Sequence, residues 1–440
     1  MGAHKVKKND IAISTTVRAD ESIILQFIEY HLAIGIDHIY IFLDDPLYNS
    51  PLSEYSDHLQ VSFIQCDKQY WSFENSIRFD DTPTSEKPLG IEQRQFSNYA
   101  YAREMTECEW VANIDIDEFI YSPYILKTIL KILPVNVFSV RMLSKEAVYT
   151  QIIDKSDIFN TRHFKINSKK NDKSALRFYP KALNANGGFW GHKLGKILAR
   201  SKEPVRYILN HNVAPLNDEL LVAVELDCLS LLHFEGMSEA YFIEKQLRRI
   251  TNDVVVQRLA KNEFTRLNYF KEQYELAGVN GLAELYRVMH VFEHERLIQA
   301  LNLGFVQEIN FRAAPVPYNL TLEDFHSHQL KYSDSKEKAI SAGKGYPILI
   351  LPLKVNESGK CILFFCNEQG ELFTLASDGV SLRANSSSLA KLFDLERYHA
   401  DGFFYVKNKD KLLISFENGT LRLNSENLGD WELFELKEVG

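Results

Sequence analysis

The alternation of apolar runs with helical segments over the first 120 residues constrains the fold more than any other feature. Residues 11–17, 38–43 and 59–66 are apolar enough to form buried strands. Residues 21–34 have helical apolar spacing, and residues 93–106 are also predicted to be helical. Strands that alternate with helices in this order predict a mostly parallel sheet with helices on both faces. Ligands of such sheets bind beyond the carboxyl ends of the strands.

The chain changes character twice after this region. Further strands are predicted at 138–142, 196–200, 205–209 and 229–233. Helical periodicity and high charge follow at 238–262, 263–277 and 280–303. Later, short apolar runs separated by turn signals recur at 347–353, 361–366, 371–376, 380–383, 403–407, 412–416, 420–423 and 431–436. Their spacing predicts an all-β module, either a β-trefoil or a small sandwich.

The length of 440 residues allows for about two or three domains. We predict a basic tail, an α/β domain, a helical extension, a linker and an all-β module that is a candidate for glycan binding. Their respective boundaries are 1–10, 11–237, 238–310, 311–345 and 346–440.

The charge balance argues against nucleic acid as a partner. The net charge is −9, whereas proteins that bind phosphate backbones usually carry a basic surplus. One basic cluster, at Lys5, Lys7 and Lys8, lies outside the predicted domains. We interpret it as a solubilising tail, and the alternative is contact with an anionic membrane surface.

Cysteine usage and hydropathy predict a cytoplasmic protein. The five cysteines are scattered, odd in number and without metal-binding spacing, which is typical of free thiols in a reducing compartment. The sequence shows neither a signal peptide nor an apolar run of about 18 residues.

Residues 111–118 (Val-Ala-Asn-Ile-Asp-Ile-Asp-Glu) place two carboxylates, Asp115 and Asp117, at the end of an apolar strand. Alternation along a strand would send both to the same face. Both could then bind one Mg²⁺ or Mn²⁺ ion, which prefers oxygen ligands and keeps positions open for phosphate oxygens. Such an ion neutralises a diphosphate leaving group. The alternative is a solvated acidic loop, which is the commoner setting of Asp-x-Asp.

Several segments together resemble the glycosyltransferase family 2-like and family 92 group. They are Val17-Arg18-x-Asp20-Glu21, Phe27-Ile28-x-Tyr30-His31-Leu32-x-x-Gly35-Ile36-Asp37-His38-Ile39-Tyr40, the segment from Gln93, and Asn113-Ile114-Asp115-Ile116-Asp117-Glu118-Phe119. The resemblance covers roughly residues 10–250. It implies a GT-A fold, Rossmann-like with a mostly parallel sheet, a nucleotide-diphospho-sugar donor and a divalent metal. One departure is Asp44-Asp45-Pro46-Leu47, which is less polar than the run that the family often has there.

The resemblance also implies a third metal ligand. His233, in the segment Leu231-Leu232-His233-Phe234-Glu235-Gly236, matches a strand-end histidine that binds the metal in several GT-A enzymes. Imidazole is an acceptable ligand for Mn²⁺. The alternative is a core histidine bonded to a backbone carbonyl, and His211 is a rival ligand.

The candidate contacts to the donor fall in three places. Thr16, Arg18 and Asp44 follow predicted strands, where a uracil and ribose would bind, and the alternative is ordinary strand-end polarity. Gln95, Asn98, Tyr99 and Arg103 share spacings of three or four residues on the predicted helix before the acidic strand. We predict that they contact the donor sugar or the diphosphate, with Arg103 as the best phosphate ligand; the alternative is an exposed polar face.

The segment Gly187-Gly188-Phe189-Trp190-Gly191-His192-Lys193 combines small residues with aromatic ones. Such a loop can close over a donor and stack Trp190 on its sugar, and the alternative is a glycine-rich hairpin. Lys196, Arg200 and Lys245 could offset diphosphate charge, although surface positions are commoner for such residues.

An inverting transferase needs a carboxylate near the acceptor hydroxyl. We predict Glu235 as this base, with Asp218 and Glu118 as alternatives.

Together these patterns predict a metal-dependent glycosyltransferase with Mn²⁺ or Mg²⁺ as cofactor. The expected donor is a nucleotide-diphospho-sugar, first of all a UDP-sugar, and the acceptor is a glycan or a lipid-linked glycan of the cell surface, such as lipopolysaccharide, reached from the inner membrane face. Family resemblance alone supports inversion. Two alternatives remain: a nucleotidyltransferase or sugar-phosphate enzyme using the same metal site, and a non-catalytic carbohydrate-binding protein. The sequence Ser14-Thr15-Thr16-Val17-Arg18 has no glycine for the phosphate loop that the first alternative needs.

Overall fold

The computed structural model describes most of the chain. The described residues are 7–438 without 48–50, 75–86, 154–158, 167–177, 180–187, 190–193, 204, 210–211, 216–220, 252–260, 334–337, 341–343, 356–357, 376–381, 385–391, 399–401, 408–412, 418–419 and 426–427. The chain forms two compact units. Unit 1 comprises Met1–Ser122, Met142–Leu216 and Leu229–Ala314, and unit 2 comprises Pro123–Arg141, Asn217–Cys228 and Pro315–Gly440. These units divide the chain differently from the predicted domains.

Helices and strands alternate only in the first quarter of the chain. The described α-helices are α1 (Glu21–Ala33), α2 (Lys68–Glu74), α3 (Ile91–Met105), α4 (Leu126–Ile132), α5 (Glu239–Ile250), α6 (Lys261–Ala277), α7 (Val279–His290) and α8 (His294–Asn302). The strands up to residue 308 are β1 (Lys7–Val17), β2 (His38–Leu43), β3 (Val61–Gln65), β4 (Cys108–Asn113), β5 (Glu118–Tyr121), β6 (Val137–Val148), β7 (His163–Lys165), β8 (Lys196–Arg200), β9 (Val205–Leu209), β10 (Asn212–Pro215), β11 (Val222–His233) and β12 (Val306–Glu308). None of the described helices is both long enough and apolar enough to span a membrane.

Four strands of unit 1 are parallel, in the order β3-β2-β1-β4. Strand β1 is central because its residues Ile11, Ala12 and Ile13 are almost completely buried, as expected of a parallel strand covered on both faces. Strand β8 then pairs antiparallel with the far edge of β4, with Val111 opposite Ala199. The carboxyl end of β4 therefore leads directly into the acidic segment.

The strand pairing corrects the predicted fold class. Outside β1–β4, antiparallel pairing dominates among the described strands, for example between β5 and β11, β7 and β12, and β4 and β8. The protein is mostly antiparallel β with a closed six-stranded barrel and eight α-helices among its described residues. The prediction of a mostly parallel, Rossmann-like GT-A fold was wrong. Parallel neighbours need a crossover of about a dozen residues or more, and most later strands are joined by much shorter turns.

Helices α5–α8 pack around one apolar cluster that includes Phe242, Tyr286 and Phe292. The predicted helix 280–303 is divided into α7 and α8. The division occurs because Phe292 N donates to Tyr149 O at 2.7 Å and Tyr149 N donates to His290 O at 2.8 Å. These two bonds draw the chain out of the helix.

Unit 2 contains the remaining strands. They are β13 (Leu320–Asp324), β14 (Lys331–Ser333), β15 (Lys338–Ile340), β16 (Tyr346–Pro347), β17 (Leu349–Val355), β18 (Ser358–Cys366), β19 (Leu372–Leu375), β20 (Leu382–Ala384), β21 (Phe393–Tyr398), β22 (Phe403–Lys407), β23 (Leu413–Glu417), β24 (Thr420–Ser425) and β25 (Phe434–Glu438). The segment 311–345, predicted to be a linker, contains the first three of these strands.

Six strands of unit 2 close a barrel. Each pairs antiparallel with the next in the order β13-β17-β18-β21-β22-β25, and β25 pairs again with β13. The intervening strands form hairpins: β14 with β15 and β16, β19 with β20, and β23 with β24. This is the strand arrangement of a β-trefoil. Each barrel strand contributes a buried side chain to the centre, namely Leu322, Ile350, Leu363, Phe393, Val406 and Phe434.

The barrel packing predicts that replacing two phenylalanines by alanine has very different effects on the free energy of unfolding. Phe434 is fully buried, so Phe434→Ala should lower the free energy of unfolding by about 3–5 kcal/mol in urea titrations. Phe325 is 42% exposed, so the same substitution there should cost less than about 1 kcal/mol. Equal losses for the two variants would contradict the barrel packing.

Candidate metal centre

The acidic segment forms a turn between β4 and β5. Strand β4 ends at Asn113, and Glu118 N donates to Asp115 O at 3.0 Å to close the turn. The Glu118 carboxylate folds back and accepts from Asp115 N at 2.8 Å. Asp115 and Asp117 therefore do not follow strand alternation, and the argument that placed them on one face does not apply. Each has its own set of partners.

Asp115 faces α3 and β8. Its Oδ1 accepts from Gln95 Nε2 at 2.5 Å, and its Oδ2 accepts from Lys196 Nζ at 2.9 Å. Partial burial opposes ionisation of Asp115, whose side chain is 34% exposed, but the charges of Lys196, His233 and Lys245 together lower the pKa of its carboxyl group. Lys196 also lies 3.7 Å from the Glu118 carboxylate. Three predicted site residues thus meet here: Gln95, Asp115 and Lys196.

Asp117 faces the end of β11. Strands β5 and β11 are antiparallel with His233 opposite Glu118, and Phe234 N donates to Asp117 O at 2.8 Å. This register brings side chains of Asp117, His233 and Glu235 together, with one potential ligand atom of each lying within 4.8 Å of the others. His233 Nε2 is 3.2 Å from Glu235 Oε2 and 3.8 Å from Asp117 Oδ2. All three residues are buried. We call them the triad.

Cations from α5 neutralise the triad. Lys245 Nζ lies 3.0 Å from Asp117 Oδ2 and 2.6 Å from Glu235 Oε2, and Arg249 lies 3.4 Å from Glu235 Oε1. Burial opposes ionisation of Glu235, but Lys245 holds the pKa of this carboxyl well below its usual range. Burial also opposes protonation of His233, but its hydrogen bond to Glu235 and the charge of Asp117 raise the pKa to about 9. His233 is therefore protonated at neutral pH.

The donor chemistry of the triad fits a divalent cation. Two carboxylates and an imidazole suit Mn²⁺ better than Mg²⁺, which prefers oxygen ligands alone. A cation would replace the proton that His233 Nε2 holds between the two carboxylates. Glu235 is then a ligand. A carboxylate with a depressed pKa and both oxygens engaged is also a weak proton acceptor, which argues against its predicted role as general base. Burial raises the pKa of Glu118 to about 7, but its side chain is bonded to the acidic turn.

Helix α1 holds β5 in place through two neighbouring side chains. His31 Nδ1 donates to Phe27 O at 2.8 Å, while Ile120 N donates to His31 Nε2 at 3.2 Å. Tyr30 donates its hydroxyl to Ile120 O at 2.8 Å and stacks on Phe119 with ring centroids 4.4 Å apart. Burial lowers the pKa of His31 to about 3, so the bridging imidazole is neutral. The Tyr-His pair of the sequence motif thus bonds the backbone of β5, the strand that directly follows the acidic turn.

The predicted nucleoside contacts lie at the ends of β1 and β2. Asn98 Nδ2 donates to Thr16 Oγ1 at 2.8 Å, and Tyr70 donates its hydroxyl to Asn98 Oδ1 at 2.7 Å. Arg18 lies 3.6 Å from Asp45. Thr16 and Asn98, which were predicted to contact different parts of the donor, thus contact each other, and Tyr70 is a partner that the sequence did not indicate.

Asp44 lines a cleft of about 490 Å³ together with Cys66, Trp71 and Lys87. Its two carboxylate oxygens accept from Arg94 at 2.8 and 3.1 Å, a bidentate contact. Sequence reasoning missed Arg94 because Arg103 on the same helix has an equally suitable side chain.

Arg103 does not join the acidic turn. Its Nη2 donates to Glu203 O at 2.6 Å, and its guanidinium group lies 5.6 Å from the centre of the Tyr99 ring. Three other predicted residues, Trp190, His211 and the alternative base Asp218, lie outside the described residues.

A second buried ion pair joins Lys165 to Glu146. Burial opposes protonation of Lys165, but Glu146 outweighs it and raises the pKa. The same ammonium donates to Gly188 O at 2.9 Å. Within the glycine-rich segment the structure describes Gly188 and Phe189, and Lys165 fixes the first of them. The signal in the sequence was a lysine between two apolar residues, Phe164 and Ile166.

Comparison with known proteins identifies no family. No protein-family profile matches the chain, and no curated protein matches it. Among solved structures, SeviL bound to asialo-GM1 saccharide is 14% identical and matches 28% of this chain and 99% of its own, with a TM-score of 0.20. GalNAc-T7 with UDP, GalNAc and Mn²⁺ is 8% identical and matches 98% and 81%, with a TM-score of 0.24. S. aureus TarS 1–349 is 12% identical and matches 62% and 74%, with a TM-score of 0.27. Similarities this weak establish neither fold nor activity.

The neutral bridge at His31 predicts how stability depends on pH. The unfolded chain binds a proton at His31 below about pH 6.5, whereas the folded chain does so only near pH 3, so the free energy of unfolding should fall as the pH drops through this interval. His31→Gln removes the titrating group. In urea titrations from pH 7 to 4.5, this variant should lose less stability than the wild type, by up to about 1.4 kcal/mol per pH unit.

His294→Gln, at an exposed position that starts α8, controls for the loss of an imidazole. It should follow the wild-type curve. Parallel curves for His31→Gln and the wild type would show that the bridge does not titrate as proposed.

Proposed function

We propose that the protein is a metal-dependent glycosyltransferase that uses a nucleotide-diphospho-sugar, in the first place a UDP-sugar. The observation that carries this proposal is the convergence of the triad with the Asp115–Lys196 pair on one acidic turn. A divalent cation bound there would neutralise the developing charge of a diphosphate leaving group. In this proposal Asp117, His233 and Glu235 hold Mn²⁺ or Mg²⁺, with Mn²⁺ preferred.

The surrounding residues have separate roles in the proposed reaction. Lys196 fixes the orientation of Asp115 and places a positive charge beside the turn. Thr16, Asn98 and Asp44 lie at the ends of β1 and β2 or next to them, where hydroxyl, amide and carboxylate groups can bind ribose hydroxyls and a base edge. Arg94 holds Asp44 in one orientation.

The acceptor and the site of action are further parts of the proposal. We propose a glycan or lipid-linked acceptor of the cell surface, reached from the cytoplasmic side of the inner membrane. The basic residues near the N-terminus would provide peripheral membrane contact. The barrel of unit 2 is a candidate for glycan binding.

Nucleotide binding tests the proposal directly. Thermal unfolding of the wild type should shift upward with UDP plus Mn²⁺, more than with GDP or CMP, and less without the metal. Asp117→Asn should abolish the metal-dependent part of the shift because it removes a charged ligand. Asp227→Asn provides a matched control, since the side chain of Asp227 is 71% exposed and lies in unit 2.

Release of one nucleotide during donor hydrolysis would fix both the class and the donor. Glycan binding with no nucleotide-dependent shift would instead support a carbohydrate-binding protein. If no nucleotide changes stability and Asp117→Asn behaves like the wild type, the transferase proposal is wrong.

The stereochemical outcome is a separate prediction. We expect direct displacement at the anomeric carbon, and therefore a product whose anomeric configuration is opposite to that of the donor. NMR analysis of the coupling constant at the anomeric proton gives the answer, and retention would contradict the inverting mechanism.

A further inference from the structure

Lys245 occupies an unusual place in the triad. Helix α5 begins at Ser238, whose side chain caps the helix by accepting from Tyr241 N at 3.1 Å. Two turns into the helix, Lys245 points at the triad and places its ammonium between two carboxylates. This contact is not a surface ion pair, because the side chains of Asp117 and Glu235 are only 6% and 4% exposed.

The ammonium contacts the same oxygen atoms that face His233. Lys245 Nζ lies 3.0 Å from Asp117 Oδ2 and 2.6 Å from Glu235 Oε2. These two oxygens are also the ones nearest to His233 Nε2, at 3.8 and 3.2 Å. A cation coordinated by the triad needs the lone pairs to which Lys245 now donates. A divalent cation at these oxygens would lie close to the Lys245 ammonium and would be repelled by it.

We propose that Lys245 is a resident counter-ion of the triad, which a divalent cation must displace in order to bind. The inference rests on the proposed function, because it concerns control of the same metal centre. Lys245 keeps two buried carboxylates compensated while no metal is bound. When a divalent cation binds, it replaces the Lys245 ammonium as the positive charge at these carboxylates.

The side chain of Lys245 is able to leave. It has a flexible four-carbon stem and is 19% exposed, so rotation of the stem offers the ammonium a way out of this contact. Its Nζ also lies 5.8 Å from the centre of the Tyr241 ring, on the same helix. Once displaced, the ammonium is a free positive charge beside the bound metal, where a diphosphate would bring its own negative charge.

Arg249 offers a matched comparison on the same helix. It carries the same charge and contacts the same residue, but it meets Glu235 at Oε1, 3.4 Å away, and not at the oxygen facing His233. Removing Arg249 therefore changes the charge around the triad without freeing a ligand atom. A general electrostatic effect would act on both variants, whereas competition for the ligand oxygens would act through Lys245 alone.

Direct Mn²⁺ binding tests the inference without measuring activity. Titrations followed by electron paramagnetic resonance should show that Lys245→Met binds Mn²⁺ about tenfold more tightly than the wild type, as expected if Lys245 occupies the oxygens about nine-tenths of the time. Arg249→Met should change the affinity by less than about threefold, since it removes only a charge at longer range. Lys245→Gln, which retains a polar side chain, should bind Mn²⁺ more tightly than the wild type as well, and it replaces Lys245→Met if that variant does not fold.

The outcomes separate this inference from the proposed function. Equal Mn²⁺ affinity in the wild type and the Lys245 variants, with binding still lost in Asp117→Asn, overturns the inference and leaves the metal centre standing. Weaker binding in the Lys245 variants also overturns it. An absence of Mn²⁺ binding in every variant overturns both the inference and the metal-dependent function. Equal gains in the Lys245 and Arg249 variants would show a general charge effect and would contradict displacement.

Discussion

The carboxylates of the acidic turn depend on cations that reach them from distant parts of the chain. Lys196 lies 81 residues from Asp115, and Lys245 lies 128 residues from Asp117. A buried carboxylate without such a partner would cost several kcal/mol or would take up a proton. The acidic turn can therefore adopt this geometry only when β8 and α5 are already in place. Local structure and tertiary structure are coupled through these ion pairs.

The sequence indicated where the acidic residues lie, but it did not predict their geometry. Strands β1 and β2 and helix α1 lie close to their predicted positions, since long apolar runs and helical spacing are local signals. The fold class was wrong because a mostly parallel sheet, inferred from the first 120 residues, was assigned to the whole domain 11–237, and antiparallel pairing dominates beyond β4. Asp115 and Asp117 were predicted to share a face of a strand, yet β4 ends before them and the backbone turns.

The side chains that contact the acidic residues could not be predicted from one sequence. Lys245 and Arg249 belong to a charged helix that is typical of a solvated face, and only the packing of α5 brings them to Glu235. His31 occupies an apolar face, which is also the usual setting of a core histidine. Its role depends on backbone groups of β5, and no pattern within α1 reveals them. The resemblance to glycosyltransferases pointed to Tyr30 and His31 as a motif but not to what they hold.

Gly236 is in close contact with α7, one of the helices after residue 238. A Cβ atom there would lie 2.4 Å from His290 Cγ, and Tyr286 donates its hydroxyl to Gly236 O at 3.3 Å. The imidazole of His290, on α7, thus fills the space that a side chain at position 236 would need. The helices after residue 238 therefore pack directly behind the candidate metal centre. A shortened protein that ended before α7 would have a cavity behind the triad, so the candidate site depends on these helices for its packing.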